Sequence, residues 1–369
     1  MKEYTVGDCF YQIRNGANIK QGNAAGGYPI TRIETTANDT FNRDRMGYAG
    51  ITDLSKYQSY ILEDGDLLMS HINSVQYLGR TVLYQKQGDE TIIHGMNLLA
   101  LKARRDIILP EYARYYFGSA SFKKQLSKIT KKSVNQASFT VADLKRIALS
   151  VPTVDNQKSI VEVLNKCCSI FTKRENELNA FDDLIKARFV EMFGDYHTNS
   201  KGFETHKGSE LFRFSSGKFL PEEKRLESGI PVYGGNGITW YTDVPLIDYP
   251  TIIIGRVGAQ CGNIHTVTVP AWITDNAIYI KEKKTEKFTL EFLSEMMRIM
   301  DFYQYADFSG QPKITQKPLE TLEYLTPPIV MQEAFTEFCA QVDKSKVAVQ
   351  KALDETQLLF NSLMQKYFG

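Results

Sequence analysis

The chain has 369 residues, 43% of them apolar and 24% charged, and 44 Lys plus Arg against 43 Asp plus Glu leave a formal charge of +1. That composition excludes a disordered or fibrous chain, and the length predicts two or three domains, each large enough to bury its own core. No apolar run approaches the roughly 18 to 20 residues that cross a bilayer, and the start MKEYTVGDCF has no basic segment followed by an apolar one, so a cytoplasmic protein that binds no membrane is expected. Five scattered cysteines, Cys9, Cys167, Cys168, Cys261 and Cys339, show no C-x-x-C spacing and read as idle thiols in a reducing compartment.

Residues 1–150 form the first expected globular unit. Leu67-Leu68-Met69, Thr81-Val82-Leu83-Tyr84 and Leu98-Leu99-Ala100-Leu101 are short apolar runs that predict strands, and Pro110 to Ile129 predicts helix. Arg114 to Arg146 then holds eight basic residues against one acid, a local charge of +7. Lys131 and Lys132 suit phosphate, while Ser133, Asn135 and Gln136 supply donors and acceptors for base edges. Arg80 is a further basic candidate. A merely solvated basic helix end would carry the same charge.

Residues 151–194 predict a long helix. From Ile160 the positions 160, 164, 167, 171, 174, 178, 181, 185, 188 and 192 step by four and three, and all are apolar except Arg174 and Arg188. A sustained 3.5-residue repeat marks a helix packed along its length on a partner. Leu164, Phe171, Leu178, Phe181 and Ile185 are the expected seam, entered past Pro152 and Gln157 and closed by Gly194.

Residues 195–326 form the second unit, with strands expected at Ile252-Ile253-Ile254, His265-Thr266-Val267-Thr268-Val269 and Ala277-Ile278-Tyr279-Ile280 and helix from Leu290 to Tyr305. The turns Gly234-Gly235-Asn236-Gly237 and Gly255-Arg256-Val257-Gly258 lack the Lys-Ser/Thr of a P-loop and the full G-x-G-x-x-G of a dinucleotide site. They are turns whose backbone can come close to a ligand. Arg256, on a turn with Gly255 and Gly258 on either side, suits a bidentate contact with guanine, and Asn236, Ser309, Gln311 and Lys313 complete the polar candidates of this unit. Residues 327–369 predict the second long helix, with Gln332 near its start and Val342, Val349, Leu353, Phe360 and Leu363 on its seam.

The two halves repeat. At an offset of 175, Gln157 matches Gln332 and Phe193-Gly194 matches Phe368-Gly369; Gln136, Phe139, Thr140, Leu144 and Ile147 face Gln311, Ile314, Thr315, Leu319 and Leu322. More weakly, VGDCFYQIRNG ending at Gly16 resembles KGSELFRFSSG ending at Gly217, and Tyr28-Pro29-Ile30 resembles Ile230-Pro231-Val232. The expected fold is α+β with an internal pseudo-twofold repeat: two similar units of mainly antiparallel sheet with small helices, separated by two long antiparallel helices in a coiled coil. Helices of this length span roughly 50 to 57 Å. Antiparallel pairing is favoured because the short stretch after Gly194 could not reach back along such a rod. Two separate surface helices, each packed on its own unit, are the alternative.

No catalytic centre is expected. There is no G-x-S-x-G elbow, no H-E-x-x-H pair, no metal-binding set among the five histidines and the thiols, and no N/D-P-P-Y/F tetrapeptide for gripping a target amine. A protein-binding adaptor without DNA, and an enzyme holding a nucleotide at the glycine turns, stay open as rivals.

In order, repetition and length the chain resembles the specificity subunit of type I restriction-modification systems, on its two proline-rich helix entries with Gln157 and Gln332, its Phe-Gly exits and its two variable units. The resemblance implies two target-recognition domains, each reading one half of a bipartite, asymmetric site in double-stranded DNA, with the helices as spacer. It implies no cofactor or metal in this chain. The partners would be two modification subunits, which use S-adenosylmethionine to methylate adenine at N6 and dock on the helical region, and in the full assembly two restriction subunits that use ATP and Mg2+.

Overall fold

Leu67, Leu68 and Met69 are all shut away from water, as are Ile252, Ile253 and Ile254. A strand covered on both faces loses the polar alternation of a half-exposed one and becomes a continuous apolar run. In the computed structural model, which describes residues 2–20, 26–134 and 136–369, both runs are interior strands of four-stranded antiparallel sheets.

The first unit contains strands β1 (Lys2–Thr5), β2 (Phe10–Asn15), β3 (Leu67–Ser70), β4 (Ile72–Asn73), β5 (Thr81–Leu83), β6 (Leu98–Ala103), β7 (Lys131–Lys132), β8 (Ala137–Ser138) and β9 (Ala148–Val151). Its main sheet has the order β2-β6-β3-β5; β1 pairs with β9, and β4, β8 and β7 form a small ribbon. The helix expected from Pro110 to Ile129 is two helices, Pro110–Gly118 and Ala120–Ile129. Ser119 separates them: its backbone is extended and its hydroxyl accepts from Phe122 N, capping the second helix.

The second unit repeats the plan with β10 (Thr205–Lys207), β11 (Phe212–Ser216), β12 (Ile230–Gly234), β13 (Gly237–Thr242), β14 (Thr251–Gly255), β15 (Ile264–Val267), β16 (Trp272–Ile273), β17 (Ala277–Lys283) and β18 (Glu323–Leu325). The main sheet is β11-β17-β14-β15, the same order as in the first unit; β10 pairs with β18, and β13-β12-β16 form a side sheet. The expected helix from Leu290 to Tyr305 stops at Ile299, and a 3-10 turn at Phe302–Tyr305 follows Asp301, whose φ of 46° is left-handed. Gly16 and Gly217, matched by the repeat, are held by one constraint. A Cβ at Gly16 would strike the Gly95 carbonyl and one at Gly217 the Thr274 carbonyl, so only glycine lets the end of β2 or β11 pass so close to the next segment.

The long helices run Val154–Phe193 and Ile329–Phe368, 40 residues each. Pro152 and Pro328 lie just ahead of them, and Gly194 closes the first in the left-handed conformation with φ 79°. Grouped by contacts, the chain forms two units that cut across the helices: Met1–Lys173 with Ala352–Gly369, and Arg174–Lys351. Within the second unit, Phe189 meets Phe335, the Arg188 guanidinium lies over Phe338, and Lys346 Nζ pairs with Asp182 at 2.7 Å. Numbers rise along one helix as they fall along the other, so the pairing is antiparallel. In the first unit Phe171 lies against Phe360. The ten seam positions of the first helix and the ten that match them at an offset of 175, from Phe335 to Tyr367, are all buried or half-buried, including Arg174, Arg188, Lys346 and Thr356. The helices also complete each unit's core: Leu164 and Phe368 join the first, and Phe189, Phe193, Phe335 and Val342 join the second.

Candidate nucleic-acid interface

In the first unit the basic stretch ends in a ribbon. The helix Ala120–Ile129 leads into β7, whose Lys131 and Lys132 pair with Ser138 and Ala137 of β8, and β8 pairs in turn with Ile72 and Asn73 of β4. The turn closes on itself, because both the backbone N–H and the hydroxyl of Ser133 donate to the Gln136 carbonyl at 2.8 and 2.9 Å. Lys131, Lys132, Ser133 and Gln136 are exposed, while Ala137 and Phe139 beneath them are buried. The ribbon thus has a buried foot under an exposed crest, and a paired β-ribbon is among the elements that a DNA major groove admits. Asn135 lies outside the described residues. Lys123, Lys124, Lys128 and Lys145 are also exposed. Arg80 is differently placed: its guanidinium pairs with Asp39 at 2.9 Å and lies 4.5 Å from the Tyr77 ring centre.

The second unit gathers its candidates from three chain segments. Asp307 and Lys313 exchange backbone hydrogen bonds, and Val257 bridges to Lys313 on the other side, repeating the ribbon of the first unit. Gly258 N donates to Pro312 O, Ile314 N donates to Arg256 O, and the Gln311 amide lies beside Gly258. The Gly234-Gly237 turn passes close to Gly255 and Arg256. Asn236, Arg256, Ser309, Gln311 and Lys313 therefore sit on adjoining turns, all exposed except half-buried Arg256, whose Nη1 donates to Asp275 O at 3.2 Å.

Superimposing the repeat exposes a position that composition could not. Phe139 N donates to His71 O as Ile314 N donates to Arg256 O, so His71 stands where Arg256 stands. It is buried, and burial holds its imidazole below the usual range, partly offset by the Asn97 backbone. The offset of 175 does not find it, since it carries Arg256 back to Thr81; the buried runs Leu67-Leu68-Met69 and Ile252-Ile253-Ile254, 185 residues apart, carry Arg256 back to His71. Its neighbour Asn73, half-buried on β4 beside the ribbon, was also missed.

Of the spacer candidates, Leu164, Ile185, Val342 and Val349 are buried, and Phe171, Leu178, Phe181, Leu353, Phe360 and Leu363 are half-buried. Gln157 and Gln332 are fully buried. Gln157 Oε1 accepts from Leu109 N, and its Nε2 donates to Ile107 O and Pro152 O. Gln332 Oε1 accepts from Thr289 N, and its Nε2 donates to Lys287 O and Pro327 O. Both amides are engaged inside their own unit, where they seat the long helix instead of facing a partner. Burial raises the Cys9 and Cys339 thiols to about 12. Among the described residues no three His, Cys, Asp or Glu side chains are placed to hold a metal ion, and no helix is long and apolar enough to cross a membrane.

Known proteins resemble the chain in sequence and in fold. A family model described as the type I restriction modification DNA specificity domain matches residues 1–180 and again residues 200–356. A Methanocaldococcus jannaschii protein named as a type I restriction enzyme MjaX specificity subunit is 26% identical over 94% of this chain and 89% of its own. The EcoprrI specificity subunit of Escherichia coli is 26% identical over 56% of this chain and 56% of its own. The crystal structure of a type I restriction-modification S subunit from M. genitalium is similar in fold, with a TM-score of 0.53 at 16% identity, covering 100% of this chain and 96% of its own. A chain from a structural study of assembly and conformational transition in a type I system gives a TM-score of 0.59 at 14% identity, covering 100% and 97%.

Proposed function

The chain belongs to the type I restriction-modification DNA specificity family, and on that premise we propose that it selects the DNA sequence for such a system, each unit reading one half of a bipartite site. One observation carries the reading. A single fold occurs twice with the same sheet order and the same ribbon, yet the ribbons differ, Lys131-Lys132-Ser133 in one and Asp307-Phe308-Ser309 in the other. Two readers of one design with different crests distinguish two sequences. An adaptor that never touches DNA leaves that divergence unexplained.

The chain supplies recognition, and the chemistry lies in its partners. Two modification subunits bring S-adenosylmethionine for methyl transfer to adenine N6, and two restriction subunits bring ATP and Mg2+. The long helices offer the docking surface. Ile170, Leu184 and Val190 on the first and Val330, Val347 and Leu358 on the second are apolar side chains left exposed outside the seam, as a helix surface awaiting protein leaves them. Mapping N6-methyladenine in the source genome with and without the chain tests the whole reading. A bipartite motif methylated only in its presence is expected, and methylation unchanged by its loss would refute it.

Two narrower results are expected. Inserting four residues at the unit boundaries, after Lys173 and after Lys351, should change the number of unspecified base pairs between the half-sites and leave both half-sites as they were. Altered half-sites would show that the helices do not set the spacing. Replacing Lys131 and Lys132 together by Ala should weaken binding to every duplex and reduce the slope of log affinity against log salt by about 2, since each phosphate contact contributes about 0.9. An unchanged slope would remove these lysines from the backbone contacts.

A further inference from the structure

Val134 is 99% exposed, more than any other large apolar side chain among the described residues. It stands at the tip of the first unit's ribbon, one residue beyond Ser133, whose two hydrogen bonds to the Gln136 carbonyl hold the turn closed. The fold gains nothing from it, because a side chain in water on both sides of a turn buries no area and packs on no neighbour. A polar residue would serve such a turn better.

The second unit does not repeat the feature. Asp307-Phe308-Ser309 stand where Lys131-Lys132-Ser133 stand, so Phe308, whose ring lies edge-on to Tyr303 at 5.2 Å, matches Lys132 on the arm, and Ser309 and Gly310 form the tip. A valine held out at one tip, where the other carries serine and glycine, points to a contact that the two units do not share. Its surroundings give the chemistry of that contact. Lys131 and Lys132 stand on the strand beneath Val134, with Lys128 on the helix before it, all exposed. Cations on the arms of a ribbon suit the phosphates flanking a groove and leave the tip facing base edges. In the major groove the one apolar group on a base edge is the C5 methyl of thymine. Valine is too short to pry base pairs apart, a task that falls to longer side chains, but its two methyls cover a single methyl well.

Resting on the DNA-reading function above, we propose that Val134 is a specificity-determining residue of the first unit, packing on the C5 methyl of one thymine in its half-site. Deoxyuridine tests this, because it pairs as thymine does and lacks only that methyl. The full chain, with its modification partners, is titrated with duplexes carrying the mapped site, in which each thymine of both half-sites is replaced in turn by deoxyuridine. One position, in one half-site only, should weaken wild-type binding about fourfold, the effect of one buried methyl group. The Val134→Ala variant should bind the unmodified site more weakly by a similar factor or more and should no longer respond to deoxyuridine there. Its thermal midpoint should match wild type, since Val134 touches nothing in the fold.

Half-sites in which no deoxyuridine alters affinity, or a Val134→Ala variant that stays as sensitive as wild type, would overturn the proposal. Equal weakening of the variant on thymine and deoxyuridine duplexes would also overturn it and would assign the tip a wedge or backbone role. If the wild-type chain fails to prefer its mapped site over random duplex, the DNA-reading function itself fails, and that result is seen before any thymine is altered.

Discussion

Gln332→Ala should lower the stability of the second unit by about 3 kcal/mol, and Gln157→Ala should do the same to the first. Gln332 is fully buried and joins three backbone groups, accepting from Thr289 N at 3.0 Å and donating to Lys287 O and Pro327 O at 2.7 and 2.8 Å. Truncation leaves one donor and two acceptors without the side chain that pairs them, each worth about 1 to 3 kcal/mol where it stays unpaired, and water or local relaxation recovers part of the sum. Gln332→Glu is the sharper probe. It preserves volume and the bond from Thr289 N, but as a carboxylate it turns an anionic oxygen toward two carbonyls. Folding therefore favours the protonated form and raises the carboxyl above its unfolded value. Stability of this variant should be greatest in acid and fall as pH rises through the folded value. Urea denaturation read at several pH values, with hydrogen exchange at the start of the second long helix, measures both variants. Two variants within 0.5 kcal/mol of wild type, an effect about the size of an ordinary surface change, would show that the amide clamp is dispensable.

The clamp also marks what the amino-acid sequence makes legible. Gln157 and Gln332 stand out as a repeated pair, but two of the three partners of each lie 43 to 50 residues away. A polar side chain's role depends on which backbone groups the fold brings to it, and no periodicity encodes that. Strands buried on both faces, such as Leu67–Ser70 and Thr251–Gly255, are legible because burial alone makes them apolar. The seam is legible for the same reason, and Arg174 and Lys346 pass as interruptions because their ends find Glu177 and Asp182 at 2.7 Å. The two-residue strands β4, β7 and β8 are too short to carry a pattern, although they support the ribbon. His71 and Val134 escaped notice because neither a lone histidine nor a lone valine signals where a turn will put it. The basic stretch was legible as charge, and the ribbon that displays it was not.

Lowering the pH from 7 to 5 should destabilise the first unit by about 2 kcal/mol through His94 alone. Its side chain is 1% exposed, with Nδ1 3.3 Å from the Thr31 hydroxyl, which accepts in turn from Gly95 N. Burial drives the imidazole down from 6.5 to about 4, against the Leu98 and Arg14 backbone groups that raise it, while the charges of His71 and Arg14 lower it further. The depressed value fixes the sign. Below about pH 6.5 the unfolded chain takes up a proton that the folded chain refuses, so stability is full at neutral pH and drains away as pH falls toward 4. His71, also lowered by burial, acts in the same direction. Glu90, held at about 2 chiefly by its hydrogen bond with Arg43, adds its own loss only below the ordinary carboxylate range, so a comparison kept above pH 5 excludes most of it. Replacing His94 by Gln removes the titration, and subtracting the variant's pH profile from that of wild type cancels every other group. Urea midpoints for both proteins at pH 7 and pH 5 supply the four numbers required. A wild-type chain whose first unit loses no more stability than the His94→Gln variant would mean that His94 takes up its proton as readily in the fold as in the unfolded chain, and the depressed value would be refuted.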